Sequence, residues 1–176
     1  MMITVPLEKN KHDRNVFDCE VETLNSYIKV MASQQSKKDN TRTFVLEDDT
    51  HPERIIGYYT LTMAPINLDT LPIKLRKKHH NVSAGGLIAR LAVDKLYKKQ
   101  GYGEWLLIDS LRKLLFASET VAFPLVIVDA KRGSVEFYEK FGFIPFQGIP
   151  NKLFITMADI RMSLTDVLAI TEQTGN

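Results

Sequence analysis

The sequence predicts an α/β (α+β) domain around a mixed sheet, and three stretches carry that reading. Ile55 to Met63 is rich in β-branched and aromatic residues, as half-buried strands are. Pro124 to Val128 is almost wholly apolar, the pattern of a strand covered on both faces. Between them, Leu106, Leu107, Leu111, Leu114 and Leu115 share one helical face behind a glycine-rich turn.

In chain order, Ile3 to Leu7 is a short first strand, ended by Glu8-Lys9-Asn10. Asp18 is expected to cap a helix carrying Val21, Leu24, Ile28 and Met31, which fades in the polar run Gln34 to Asn40. Thr41 to Glu47 and Ile55 to Met63 are expected to pair as an antiparallel hairpin around the Asp48 to Pro52 turn. Leu68, Leu71, Ile73 and Leu75 suggest a short helix broken early by Pro72 and ending in Arg76-Lys77-Lys78-His79-His80. Gly85-Gly86 leads into a central strand, Leu87 to Val93, followed by the main helix. After the Pro124 to Val128 strand, Ser134 to Phe141 is a short helix stopped by Gly142. Phe143 to Phe146 and Leu153 to Met157 form a last pair of strands around Gly148-Ile149-Pro150. No internal repeat or linker interrupts the chain, so residues 1–162 are expected to form one domain, with 163–176 a polar tail holding one helical turn.

Composition bounds the function classes. Of 176 residues, 44% are apolar and 25% charged, as in an ordinary globular protein. No apolar run reaches the length a membrane helix needs, and the N-terminus lacks a basic region followed by an apolar core. The single cysteine, Cys19, cannot form an internal disulfide, which fits a reducing cytoplasm. A net charge of +2 is too mild to indicate a nucleic-acid partner by itself.

The stretch Arg90 to Glu104, R-L-A-V-D-K-L-Y-K-K-Q-G-Y-G-E, is built to hold an anion. A strand feeds a glycine turn at a helix N-terminus, where unpaired N–H groups and the helix dipole both favour negative charge. Gly101 and Gly103 expose backbone that a Cβ would shield, and Lys98 and Lys99 add positive charge. The inferred ligand is a pyrophosphate. A P-loop is excluded because no Lys-Ser or Lys-Thr follows Gly103, and a dinucleotide fingerprint because position 106 is Leu106.

The K-K-Q-G-Y-G run resembles the R/Q-x-x-G-x-G/A signature of GNAT-type N-acetyltransferases, with Lys98 standing where that family has Arg or Gln. Lys131 to Phe143, K-R-G-S-V-E-F-Y-E-K-F-G-F, resembles the helix and following strand of the same enzymes. Within that superfamily F-D-C-E, G-Y-Y-T-L, R-L-A-V-D, V-D-A-K and P-N-K-L-F-I-T-M resemble one branch, the acetyltransferase toxins of type II toxin–antitoxin modules, which acetylate the amino group of aminoacyl-tRNA.

The resemblance implies a GNAT fold: six to seven strands, about four flanking helices, and two central parallel strands that splay apart to admit pantetheine. It implies acetyl-CoA as donor, no metal, and a site in which Leu91, Ala92 and Val93 offer backbone groups to pantetheine and the thioester. Lys98, Lys99, Gln100, Gly101, Tyr102, Gly103 and Glu104 would hold the pyrophosphate, with Ser134 and Phe137 beside the cofactor. Tyr138 matches the tyrosine that protonates or hydrogen-bonds the leaving sulfur. It also implies a cytoplasmic protein, a small DNA-binding antitoxin and a homodimer as partners, and no membrane.

No carboxylate or histidine stands out as a general base. A free α-amine has a pKa of about 7.7–8.0, lowered further by esterification, so an aminoacyl ester needs less help than a lysine at about 10.4. Basic groups at Lys37-Lys38, Arg76-Lys77-Lys78 and Arg90 are candidate tRNA contacts, whose bland alternative is solvated surface. Other chemistries find little support: Cys19 lacks a nearby base, His79-His80 lacks metal spacing, and Asp129 and Ser134 lack a G-x-S-x-G context. Two other readings stay open: a GNAT enzyme acting on a small amine or a protein N-terminus, and a CoA-binding module of a repressor complex that does no chemistry.

Overall fold

The computed structural model describes residues 2–173. Its strands are β1 (Thr4–Pro6), β2 (Arg42–Glu47), β3 (Ile55–Pro65), β4 (Ala84–Val93), β5 (Leu125–Asp129), β6 (Ile144–Pro145) and β7 (Lys152–Thr156). They form one seven-stranded sheet in the order β1-β2-β3-β4-β5-β7-β6. β1, β2 and β3 pair antiparallel in sequence, as do β5 with β7 and β7 with β6. β4 and β5 neighbour each other across a helical crossover, α4 (Tyr102–Ser118), which makes the sheet mixed.

The remaining helices are α1 (Glu22–Ser26), α2 (Ala32–Lys37), α3 (Ile73–Lys78), α5 (Val135–Lys140) and α6 (Met157–Gln173). Between α1 and α2 the chain does not break but widens into a π-helical turn, Tyr27–Met31. Such turns are rare, under about 1% of residues, and recur at functional sites.

The described residues gather into two compact units, 2–62 with 88–110, and 63–87 with 111–173. In the first, Phe17, Leu24, Tyr27, Ile28, Val45, Ile55, Tyr58 and Ala92 form one apolar cluster. The Tyr58 hydroxyl donates to the Leu24 carbonyl at 2.8 Å, tying β3 to the π-containing helix. On α4, the Asp109 carboxylate accepts from the hydroxyls of Thr4 and Tyr59, each at 2.6 Å, which fixes the helix to β1 and β3. Both buried hydroxyls are thereby satisfied, as buried polar groups must be. In the second unit, Ile66, Leu71, Leu125, Ile127, Phe146 and Phe154 form the core.

Three sequence expectations are corrected. Asp18 does not cap the first helix: Val21 holds that position, without a side-chain cap. Asp18 instead accepts from the backbone of Glu20 at 2.9 Å and the side chain of Asn25 at 2.9 Å, closing a local turn that competes with capping. Gly85 and Gly86 do not precede the central strand but lie inside β4. A Cβ on Gly85 would stand 2.7 Å from the Leu125 carbonyl, so the glycine admits a close backbone approach rather than a turn. The stretch read as a tail from Ser163 is helical to Gln173 in α6. Met157 and Ile160 are buried and anchor the start of this helix. The last three residues of that stretch lie outside the described ones.

Candidate active site

Within the first unit, β4 delivers Arg90, Leu91, Ala92 and Val93 to the edge of a tightly held turn. Asp94 is 5% exposed and accepts from two backbone N–H groups, Leu96 at 2.9 Å and Asp18 at 3.0 Å. Its own N–H donates to the Ile56 carbonyl at 2.8 Å, pinning the end of β4 against β3. The Cβ that Gly57 lacks would stand 2.7 Å from both the Ala92 carbonyl and Leu106 Cδ1, so β3, β4 and α4 close together only over a glycine.

Beyond the 3₁₀ turn Lys95–Tyr97, Lys99 and Gly101 both adopt left-handed backbone, with φ of 60° and 83°. Backbone turns of this kind can gather N–H groups into an anion nest. Gly101 has open space where a Cβ would lie, and Gly103 meets only Val93 Cγ2, at 3.9 Å. α4 starts here, with the Trp105 N–H donating to the Gly101 carbonyl at 3.0 Å, and runs for 17 residues. The run Lys98 to Gly101 is exposed, and Tyr102, Gly103 and Glu104 are half-buried.

The two lysines differ. Lys98 bonds Glu20 and donates to the Cys19 carbonyl at 3.1 Å, so it braces the turn against the preceding loop. Lys99 is exposed and makes no ion pair among the described residues. Gln100 reaches back to the Leu96 carbonyl at 3.4 Å.

One pleat repeat before Ala92, Arg90 lies over the Tyr27 ring, 3.6 Å from its centre. The two line a cleft of about 550 Å³ with Glu22, Ser26, Met31 and Thr41. The π-helical turn supplies both Tyr27 and Met31 to this wall. Lys37 and Lys38 are exposed at the end of α2 and do not line it.

In the second unit, α5 presents Tyr138. Its residue is 8% exposed and packs edge-on against Phe137 and Phe143, with ring centres 5.1 and 5.5 Å away. Burial alone pushes its hydroxyl up to about 12. Ser134 stands at the N-cap of α5 without a side-chain cap, and Gly142, at φ 90°, ends the helix. Arg76 is turned inward, donating to the carbonyls of Asp69 at 3.1 Å and Leu71 at 3.2 Å, while Lys77 and Lys78 are exposed.

Sequence reasoning missed Asp94, Asp18 and Glu20 as supports of the turn, and Tyr27 as a partner of Arg90. For Asp94 the signal was present, since an Asp right after a strand favours an Asx turn. For Tyr27 there was none, because its π-helical neighbourhood follows the same apolar spacing as an α-helix. Among the described residues no helix is long and apolar enough to cross a membrane, and no group of three or more His, Cys, Asp or Glu is placed to hold a metal.

A strand feeding a left-handed glycine turn onto a long helix, in a seven-stranded mixed sheet, is the frame on which acetyl-CoA-dependent acyltransferases of the GNAT class are built. Residues 39–145 match the family described as "Acetyltransferase (GNAT) domain", and the chain belongs to it. It is 28% identical to the "Probable toxin TacT" of Sinorhizobium fredii over 90% of this chain and 93% of that one. To the "tRNA-acetylating toxin" of Mycobacterium tuberculosis it is 26% identical, over 82% of this chain and 86% of the other. Among solved structures, AtaT complexed with acetyl-methionyl-tRNAfMet is 26% identical with a TM-score of 0.83, covering 93% of this chain and 99% of that one. AtaTR bound with AcCoA is 26% identical with a TM-score of 0.78, covering 93% and 98%.

Proposed function

We propose that this protein is the toxin of a toxin–antitoxin module, transferring acetyl from acetyl-CoA to the α-amino group of aminoacyl-tRNA and so blocking translation in the cytoplasm. The observation that carries it is the exposed left-handed turn at Lys99 and Gly101, opening onto the N-terminus of α4 and pinned by Asp94. A diphosphate is the ligand such a nest fits. The relatives named for tRNA acetylation supply the acceptor class.

In this reading the nest binds the CoA diphosphate through Lys99, Gly101 and the first N–H groups of α4. The backbone of Leu91, Ala92 and Val93 holds pantetheine and polarises the thioester carbonyl. The acceptor amine attacks that carbon as a neutral base, an easy state for an ester-linked α-amine at physiological pH. As the tetrahedral adduct collapses, the C–S bond breaks, the C–N bond remains, and the nitrogen loses a proton to water.

Tyr138 acts on the departing sulfur. A phenol near 12 cannot readily give its proton to a thiolate whose acid lies near 8.5, because that transfer is uphill by about 5 kcal/mol. Tyr138 therefore serves as a hydrogen-bond donor that stabilises developing negative charge, and it stays protonated throughout the physiological range. Arg90 and the cleft it lines receive the acceptor. A neutralising antitoxin and a homodimer belong to the same reading.

The decisive experiment incubates purified protein with labelled acetyl-CoA and total charged tRNA, then identifies the acetylated species. Label on aminoacyl-tRNA is expected. Label confined to small amines or protein N-termini would sink the reading in favour of an ordinary N-acetyltransferase.

A further inference from the structure

Within the second unit lies a groove of about 480 Å³ that has no part in the mechanism proposed above. Lys74 and Lys78 of α3 line one side, one helical turn apart, and Arg161 of α6 lines it as well. All three are exposed, and none makes an ion pair among the described residues. Some other surface cations are engaged, Lys11 with Glu47, Arg42 with Asp39, Lys95 with Asp18 and Lys98 with Glu20, whereas here three unpaired ones line a single groove. The groove also receives the N-terminal turn of the 17-residue α6, whose dipole adds positive potential. Asp159 is the one carboxylate in the lining and offsets part of this charge. His79 adds none at neutral pH, because burial and Lys78 hold its pKa below the usual value.

We propose that the groove between Lys74 and Lys78 of α3 and Arg161 of α6 is a phosphate-binding track for the backbone of the RNA. It rests on the reading above that the acceptor is an RNA. Lys74 and Lys78 are about 6 Å apart along the helix axis, a spacing comparable to neighbouring phosphates on one strand. The chemistry favours RNA over an acidic peptide. Phe123 and Met157 are buried at 8% and 3% exposure, and Ile144, at 46%, is the one exposed large apolar side chain in the lining, too little to anchor a peptide's apolar side chains. What remains is charge on a rim, which reads phosphate and not sequence.

The test measures binding of labelled deacylated tRNA across a salt series, for the intact protein and for a Lys74→Glu/Arg161→Glu variant. No acetyl transfer is involved, so failure here leaves the acetylation reading standing, and failure of acetylation leaves this result interpretable. Expected are roughly tenfold weaker binding near 0.1 M salt and a log–log salt slope shallower by about 2, with CoA binding retained. A Lys74→Gln/Arg161→Gln variant gives a smaller loss in the same direction and serves if charge reversal impairs folding. Lys9→Glu, an exposed cation elsewhere, controls for net charge. An unchanged slope, an equal loss with Lys9→Glu, or a loss seen only with a poly-glutamate probe would each overturn the proposal.

Discussion

The guanidinium of Arg90 lies flat enough on Tyr27 to bring its central carbon 3.6 Å from the ring centre. The contact spans β4 and the π-helical turn, and it stiffens a side chain that would otherwise sweep the cleft. Tyr27 is itself held, its hydroxyl 3.1 Å from that of Thr41. Such a pair contributes about 0.5–2 kcal/mol, depending on its exposure. An immobilised guanidinium plane is a surface on which an unstacked base can rest.

Replacing Arg90 with Ala is therefore expected to raise KM for aminoacyl-tRNA about tenfold and to leave CoA binding within twofold. Arg90→Lys recovers little, since an ammonium keeps the charge and loses the plane. Steady-state kinetics with tRNA varied at saturating acetyl-CoA decides it.

For Tyr138→Phe, the ring packing against Phe137 and Phe143 survives and only the hydroxyl is lost. Loss of a single donor to developing charge lowers kcat by about 10²–10³. CoA affinity and Tm are expected to stay close to those of the parent protein. A kcat that holds within threefold would mean that the phenol is only packing.

Two glycines test the cofactor turn in different ways. Gly101→Ala meets no neighbour, but it forces a Cβ into left-handed backbone, which costs about 1–2 kcal/mol. CoA binding should weaken while the core stays intact. Gly57→Ala instead drives a Cβ to within 2.7 Å of the Ala92 carbonyl and Leu106. That overpacking costs about 1–3 kcal/mol, or a Tm lower by about 5 °C, and it displaces the end of β4. Thermal melts paired with calorimetry of CoA uptake separate the two.

Glu20→Gln removes the carboxylate that holds Lys98. Exposed pairs of this kind contribute about 0–1 kcal/mol, so little stability is lost. The released lysine is expected to tighten CoA binding two- to fivefold, roughly the same energy read as affinity. Unchanged affinity would identify Lys98 as a strut of the turn and not a phosphate ligand.

Asp48 gives a pH-dependent prediction. Its carboxylate accepts from the Tyr97 hydroxyl at 2.6 Å and from Thr50 and His51, and these donors hold its pKa well below the usual carboxylate value. A depressed pKa contributes stability that is present above the unfolded value of about 3.9 and lost as pH falls through the folded value. Asp48→Asn should therefore lower Tm at pH 7, with the gap to the parent protein closing as pH drops below about 4. A gap independent of pH would place the effect in packing.

Much of the fold was legible because its signals are local. The Pro124 to Val128 run became β5, the leucines of α4 fell on its buried face, and Gly142 ended α5 as expected. The turn before α4 was legible for the same reason: glycine spacing encodes backbone conformation. What escaped was set by distant partners. Nothing near Lys98 in sequence announces Glu20, and Arg76, part of a basic run, turns one guanidinium nitrogen to carbonyls of the preceding turn. Lys74 and Arg161 lie far apart in the chain and meet only in the folded second unit. Charge runs report composition, whereas the fold decides which charges remain available.

Cys19 is 4% exposed, and its thiol reaches Asn25 Oδ1 at 3.1 Å. An enzyme that releases a thiol at every turnover runs the hazard of being capped by its own product whenever conditions turn oxidising. Here the one sulfhydryl able to make that mixed disulfide is sealed beneath the loop that braces the diphosphate turn. Thiol-specific alkylating reagents should therefore leave Cys19 of the folded protein unmarked.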